Sequence, residues 1–285
     1  AYCRSDIRQQ QINLDTSQFI TALKDLGFYI PDCAQSNYDR TIQSLTSTLN
    51  MDYLDVLAID YAADKMNFVP FIQKSKVMRQ FQQMGYSTAT FRSIYPGIDQ
   101  QNVTYYYDYF TDVSGLDSQA SLNFQYLFLR TTLARPLIQY IESNRPITLS
   151  SFWGRWIPTG NTLNSRDYRQ YQQNVYALDS LQNLPNIPGK KFVYAHLFVT
   201  HQPFVFYPDG RFHPFLSQDY RGYRDQVIFA DKRLLEIIKY ILAKSNPAPI
   251  IVIQGDHSYF NNADRVKILN AYYLPDGGEK DLYPT

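Results

Sequence analysis

The stretch Ile250-Ile251-Val252-Ile253-Gln254-Gly255-Asp256-His257-Ser258 runs an apolar strand straight into a Gly-Asp-His turn. A packed strand holds its own end rigidly, and this one then presents a carboxylate and an imidazole side by side. Those two groups are ligands for a borderline divalent cation such as zinc or manganese. In open α/β sheets, binding sites lie just beyond the carboxyl ends of strands, which is where Asp256 and His257 fall. The plainer alternative is an Asp that caps a following helix, with a His beside it by chance.

Outward from this strand, helical and strand patterns alternate along the chain, the mark of an α/β layered fold. Asp219 to Ala243 predicts a long amphipathic helix, Lys191 to Val199 a buried strand, and Val266 to Leu274 the last strand. Nearer the start, Thr16-Ser17 opens an amphipathic run through Phe19, Ile20, Ala22, Leu23 and Leu26 that stops at Gly27. Phe28-Tyr29-Ile30 predicts a short strand ended by Pro31, and Thr41 through Leu49 a helix. Asn67 to Met84 predicts one helix with Pro70 in its first turn and Gly85 as its stop, and Tyr86 to Phe91 a strand. The middle is less regular. Leu122 to Ile141 predicts a helix bent at Pro136, and Arg166 to Leu184 a polar, Gln- and Tyr-rich surface helix. No repeat or linker divides the chain, so residues 1–285 read as a single domain.

A chain of 285 residues can bury a full core, and 45% hydrophobic with 19% charged residues is an ordinary globular balance. The 25 Tyr and 18 Phe point to thick core layers or to a surface built for sugars or lipid headgroups. A formal net charge of +1, with no basic run, excludes nucleic acid as a partner. No stretch approaches the roughly 18 apolar residues of a membrane helix, and the N-terminus carries no signal-peptide pattern. The abrupt ends, Ala1-Tyr2-Cys3 and Tyr283-Pro284-Thr285, read as those of an excerpt, so the missing span says little about the intact protein. Cys3 and Cys33 pair only in an oxidising compartment, and their spacing leaves that open.

Two further segments carry chemistry. Ser36-Asn37-Tyr38-Asp39-Arg40-Thr41-Ile42-Gln43-Ser44-Leu45 sets hydroxyls at a helix start, where free N–H groups and the helix dipole favour an oxyanion or a bound phosphate. The plain reading is that Thr41 caps its helix and Ser44 is an ordinary first-turn residue. His196-Leu197-Phe198-Val199-Thr200-His201-Gln202-Pro203-Phe204 places two of the four histidines at a strand end. His201 falls on the rim, where it can hold a negative oxygen or protonate a leaving group, whereas His196 lies in the apolar run as a core histidine. His213 has no context beyond a turn. Trp153-Gly154-Arg155-Trp156 can stack under a sugar or pin a phosphate, and serves equally well as core anchors around an exposed Arg.

Taken in order, these segments resemble the alkaline phosphatase superfamily, in its sulfatase-like branch of lipoteichoic acid synthases and phosphoethanolamine transferases. Gly255-Asp256-His257 after an apolar strand resembles the late metal-binding turn of that family, Thr41-x-x-Ser44 behind Asn37-Tyr38 its nucleophile segment, and His201-Gln202-Pro203-Phe204 its His-x-Pro-Phe element. The flanks agree: Phe19 to Asn50 is similar to the first helix-strand-helix unit, and Val266 to Pro275 to the strand after the metal turn. Tyr86 to Pro188 resembles it poorly.

The resemblance implies a three-layer α/β/α sandwich around a mixed, mostly parallel central sheet, a catalytic domain without its first strand and C-terminal end. It implies Thr41 as nucleophile with its Oγ on one divalent metal ion, zinc or manganese before calcium or magnesium. Asp256 and His257 would be the other metal ligands. His201 would assist the leaving group and, with Asn37 and Ser44, hold substrate. Another acidic ligand would come from just upstream of Ala1, leaving the metal site incomplete here. The implied activity is phosphoryl transfer or phosphodiester hydrolysis on a phospholipid headgroup or cell-envelope glycan, in a protein anchored at the outer face of the cell membrane. The alternatives are a sulfatase and a catalytically silent domain that binds an anion or glycan. Cys33-Ala34-Gln35-Ser36-Asn37 echoes the formylglycine pattern of sulfatases without its Pro and Arg, and Thr41 would yield only a ketone.

Overall fold

The computed structural model describes residues 2–93, 97–100, 102–112, 166–213 and 219–282. The predicted helix over Leu122 to Ile141 and the Trp153–Trp156 motif lie outside them. The described chain is mixed α/β. Helices α1 (Ser5–Ile12) and α2 (Ser17–Asp25) lead into strand β1 (Phe28–Tyr29), and α3 (Thr41–Asn50) follows. Next come α4 (Val69–Gln73), α5 (Lys76–Gln83), β2 (Ser87–Phe91), β3 (Tyr105–Tyr107) and the short α6 (Tyr109–Asp112). After α7 (Arg166–Leu181) come β4 (Lys191–Tyr194), α8 (Tyr220–Lys244), β5 (Ile251–Gln254) and β6 (Asn270–Tyr273).

The strands form two three-stranded sheets, ordered β3-β2-β4 and β1-β6-β5. The first is parallel throughout, with Thr88 opposite Phe192 and Thr90 opposite Tyr106. The second is antiparallel, with Ile253 opposite Ala271 and Phe28 opposite Tyr273. A single mixed sheet is not what the described strands make. β5 lies at a sheet edge rather than in a buried centre, and Val252 on it is 53% exposed.

One core joins both sheets. Leu23 and Phe19 of α2, Phe91 of β2, Leu178 of α7, Tyr223 and Val227 of α8 and Ala271 of β6 belong to it. Helix α8 shows why it folds as one long rod. Its buried positions Tyr223, Val227, Ala230, Ile237 and Ile238 recur at helical spacing, and the Asp219 carboxylate caps its start by accepting from Arg221 N at 2.9 Å. Among the described residues no helix is long and apolar enough to cross a membrane.

Three predicted boundaries move, each for a local reason. The helix predicted over Asn67 to Met84 is two, because Ser75 accepts from Met78 N at 3.4 Å and starts α5 afresh, while Asn50 Oδ1 takes the N–H of Lys76 at 3.1 Å. Helix α7 is no surface element: Gln170, Gln173 and Asn174 are buried beside Ala177 and Leu178. Those amides have backbone to serve. Gln170 Nε2 donates to Pro203 O at 3.0 Å, and Asn174 Oδ1 accepts Phe198 N at 3.1 Å. The same contacts end β4 at Tyr194, well short of Val199. Beyond Tyr194 the backbone finds side-chain partners, Asn174 at Phe198 and Gln226 at Val199, in place of a neighbouring strand.

Candidate active site

Two turns and a helix start meet behind β5. Gly255 is required by close approach: a Cβ there would lie 2.3 Å from the carbonyl oxygen of Tyr2. The extended Tyr2-Cys3 segment passes across this glycine, with Tyr2 N donating to His257 O at 3.0 Å and Leu269 N to Tyr2 O at 3.0 Å. The turn is thereby held from both sides. Neither Asp256 nor His257 starts a helix, so the capping alternative for Asp256 falls away.

Opposite this turn stands Thr41, first residue of α3. Its hydroxyl lies 2.9 Å from His257 Nε2, joining residues 216 apart in the chain, with the Asp256 carboxylate beside it. Asp256 Oδ2 in turn lies 3.2 Å from His257 Nε2. The hydroxyl, carboxylate and imidazole therefore share one point. His257 Nδ1 donates to Ser258 O at 2.7 Å, which sets the tautomer and leaves the Nε2 lone pair facing Thr41 and Asp256.

Electrostatics follow from burial. His257 is 4% exposed, and burial pulls its imidazole from 6.5 down to about 4 against the opposing effect of Asp256. Burial alone would raise the Asp256 carboxyl. The imidazoles of His257 and His196 and the Thr41 hydroxyl beside it work the other way and favour the charged carboxylate. At neutral pH the site is thus an anionic carboxylate beside a neutral imidazole, the protonation states a cation requires.

The His257 shift has a measurable consequence. Above about pH 6.5 the ring is neutral whether folded or unfolded, so its burial costs nothing. As pH falls toward 4, the unfolded chain takes up a proton that the folded chain refuses, and stability declines. At pH 5 the expected loss is about 2 kcal/mol. Unfolding free energies at pH 7 and pH 5 should fall further for the wild type than for His257→Asn by about that amount. Equal falls would show that His257 titrates normally.

The other predicted residues take different places. His201 is partly buried near the group, its ring lowered by burial and raised by its bond to Gln202 O and by the Asp256 charge. With Nδ1–H donating to that carbonyl at 2.5 Å, Nε2 becomes a donor only when the ring is charged. Asn37 does not join the group: its amide donates to Ser47 Oγ at 2.7 Å, and Ser47 Oγ donates to Asp52 O at 2.6 Å, bracing the end of α3. Ser44 is 1% exposed, buried inside α3. Cys3 and Cys33 are both free, one buried and one exposed.

Two neighbours of the group escaped the sequence. Among the described residues, Tyr194 Oη and His196 Nδ1 are buried with no hydrogen-bond partner, and both feel the Asp256 charge. Burial lowers the His196 ring to about 4 and raises the Tyr194 hydroxyl. Buried orphan polar atoms beside a carboxylate mark a place where a ligand atom or ordered water belongs. The apolar run Phe192 to Val199 hid both, since nothing in its pattern separates a core aromatic from a site aromatic.

As donors, the Asp256 carboxylate, His257 Nε2 and Thr41 Oγ1 fit a borderline divalent cation in kind. They fall short of the four ligands that zinc takes. Among the described residues no group of three or more His, Cys, Asp or Glu side chains gathers anywhere. Set against known protein families, curated proteins and solved structures, the chain matches none.

Proposed function

We propose that this protein is a metal-dependent phosphotransferase or phosphodiester hydrolase that works through Thr41, a member of the sulfatase-like branch of the alkaline phosphatase superfamily. The observation that carries the reading is the convergence of Thr41 Oγ1, Asp256 and His257 Nε2, with Thr41 2.9 Å from the imidazole. On the same reading, the edges of β4 and β5 belong to one central sheet of a three-layer sandwich. The substrate is a lipid headgroup or envelope glycan, and the intact protein sits at the outer face of the membrane.

Asp256, His257 and Thr41 would hold the cation. Bound there, a divalent cation lowers the pKa of the hydroxyl and offsets negative charge on the transferring group. Thr41 Oγ1 is the nucleophile, standing at the start of α3 where unpaired backbone N–H groups face an incoming phosphate oxygen. With its proton given up to solvent, Thr41 Oγ1 attacks phosphorus, an O–P bond forms as the bond to the leaving oxygen breaks, and His201 protonates that oxygen. An approaching phosphate raises the His201 pKa and charges the ring, making Nε2 a donor only when substrate is present. Water or an acceptor hydroxyl then takes the phosphoryl group from Thr41, and geometry does most of the work.

The test is turnover of bis-p-nitrophenyl phosphate by the protein with added zinc or manganese, p-nitrophenyl sulfate serving as the comparison. Nitrophenol release from the diester, abolished by EDTA and restored by metal, is the expected result. Release from the sulfate alone would make the protein a sulfatase. Release from neither, with either metal, would favour a silent anion-binding domain.

A further inference from the structure

A cavity of about 270 Å³, lined by Asp39, Arg40, Asn261, Asn262 and Arg265, opens beside the start of α3. Arg40 immediately precedes Thr41 and occupies the N-cap position of that helix. Arg265 is built into the wall. Its Nε donates to Asp39 O at 2.8 Å, and its Nη1 to Tyr259 O at 3.2 Å and to Asn261 Oδ1 at 2.9 Å. These bonds tie the loop before Thr41 to the loop after His257, so the cavity is shaped by the segments that assemble the candidate site.

The lining has a definite sign. Two guanidinium groups face one carboxylate, and that carboxylate is engaged, Asp39 Oδ1 accepting from Tyr61 Oη at 2.5 Å. The Arg40 guanidinium lies over the Tyr61 ring, 5.4 Å from its centroid. Lys267 and Asp264, close by in sequence, satisfy each other at 2.8 Å and leave the balance unchanged. The two asparagine amides add neutral donors. With Arg265 Nε and Nη1 engaged in the wall, its Nη2 joins the Arg40 guanidinium and the asparagine amides as donors of the kind that recognise phosphate oxygens.

We propose that this cavity is a second phosphate-binding subsite, so that the substrate carries a further phosphate beyond the bond that Thr41 breaks. The assignment rests on the reading of Thr41 as nucleophile for its role, but not for its binding. A further phosphate on a lipid headgroup and one on a soluble glycan present the same oxygens to Arg40 and Arg265.

Calorimetric titration of the protein with propanediol bisphosphate and with propyl phosphate, at low salt, tests it. The bisphosphate should bind about 10-fold tighter than the monophosphate. Arg40→Gln should bring the ratio close to one. So should Asn261→Asp, which keeps an acceptor for Arg265 while adding negative charge at an exposed position. Thr41→Ala should retain the preference. Equal wild-type affinities, or a preference unchanged in both Arg40→Gln and Asn261→Asp, would overturn the subsite even if diester turnover were normal. A preference that survives without any turnover would keep the subsite and remove the nucleophile. Phosphatidylcholine vesicles containing phosphatidic acid separate the sources: Arg40-dependent binding to them assigns a lipid phosphate, and bisphosphate binding alone assigns a soluble one.

Discussion

Thr41→Ala should lose at least about 10³-fold in kcat/KM on an activated phosphodiester, or about 4 kcal/mol of transition-state stabilisation. The side chain that vanishes is the hydroxyl 2.9 Å from His257 Nε2, and alanine leaves no oxygen to attack phosphorus. Stability should change little, because Thr41 is only half-buried at the first turn of α3 and its hydroxyl bonds a side chain of the site, His257. Thr41→Ser restores the oxygen and should recover most of the rate. Mass spectrometry of quenched reactions should find a phosphate adduct on the Thr41 peptide of the wild type and none in Thr41→Ala. Turnover in Thr41→Ala within a few-fold of wild type would end the nucleophile reading.

Replacing one member of the buried pair Arg8–Asp231 should cost about 3–5 kcal/mol of folding free energy. Arg8 is fully buried, with Nη1 2.9 Å from Asp231 Oδ2, Nε 2.8 Å from Cys3 O, and the guanidinium 4.3 Å above the Tyr2 ring. Tyr2 Oη donates to the same carboxylate. Burial holds the Asp231 carboxyl above its usual range even with Arg8 and Tyr2 beside it, so a carboxylate stripped of its arginine would be costlier still. Arg8→Met and Asp231→Leu should each shift the urea midpoint strongly, while the double variant recovers most of the loss because no charge remains buried alone. Additive losses in the double variant would show that the two side chains act separately. The effect reaches function as well, since Tyr2 and Cys3 cross Gly255 and the Tyr2 N–H donates to His257 O.

Helix α2 with its stop at Gly27, α3 starting at Thr41, α8 and strands β1, β2, β5 and β6 lie close to where the sequence placed them. Each is set by a local signal, an amphipathic period, a cap or a glycine at positive φ such as Gly27 at 93°. The misses share a cause. The break at Ser75, the early end of β4 and the burial of α7 all depend on side chains from elsewhere, Asn50, Asn174 and Gln226, taking up backbone groups. No window of neighbouring residues contains those partners. The Asn37 amide likewise meets a partner ten residues on, donating to Ser47 Oγ.

By itself the sequence determined which residue types stand at the ends of which elements: a hydroxyl at a helix start, a carboxylate and an imidazole after an apolar strand. Chain-local hydrogen bonding and side-chain periodicity suffice for that. Only the tertiary structure decided that Thr41 and His257, 216 residues apart, come within 2.9 Å, that Ser258 O sets the imidazole tautomer, and that Arg265 ties the two loops beside a basic cavity. Distance between remote residues, and the burial that shifts a pKa, are properties of packing. They exist only once the core has closed around them.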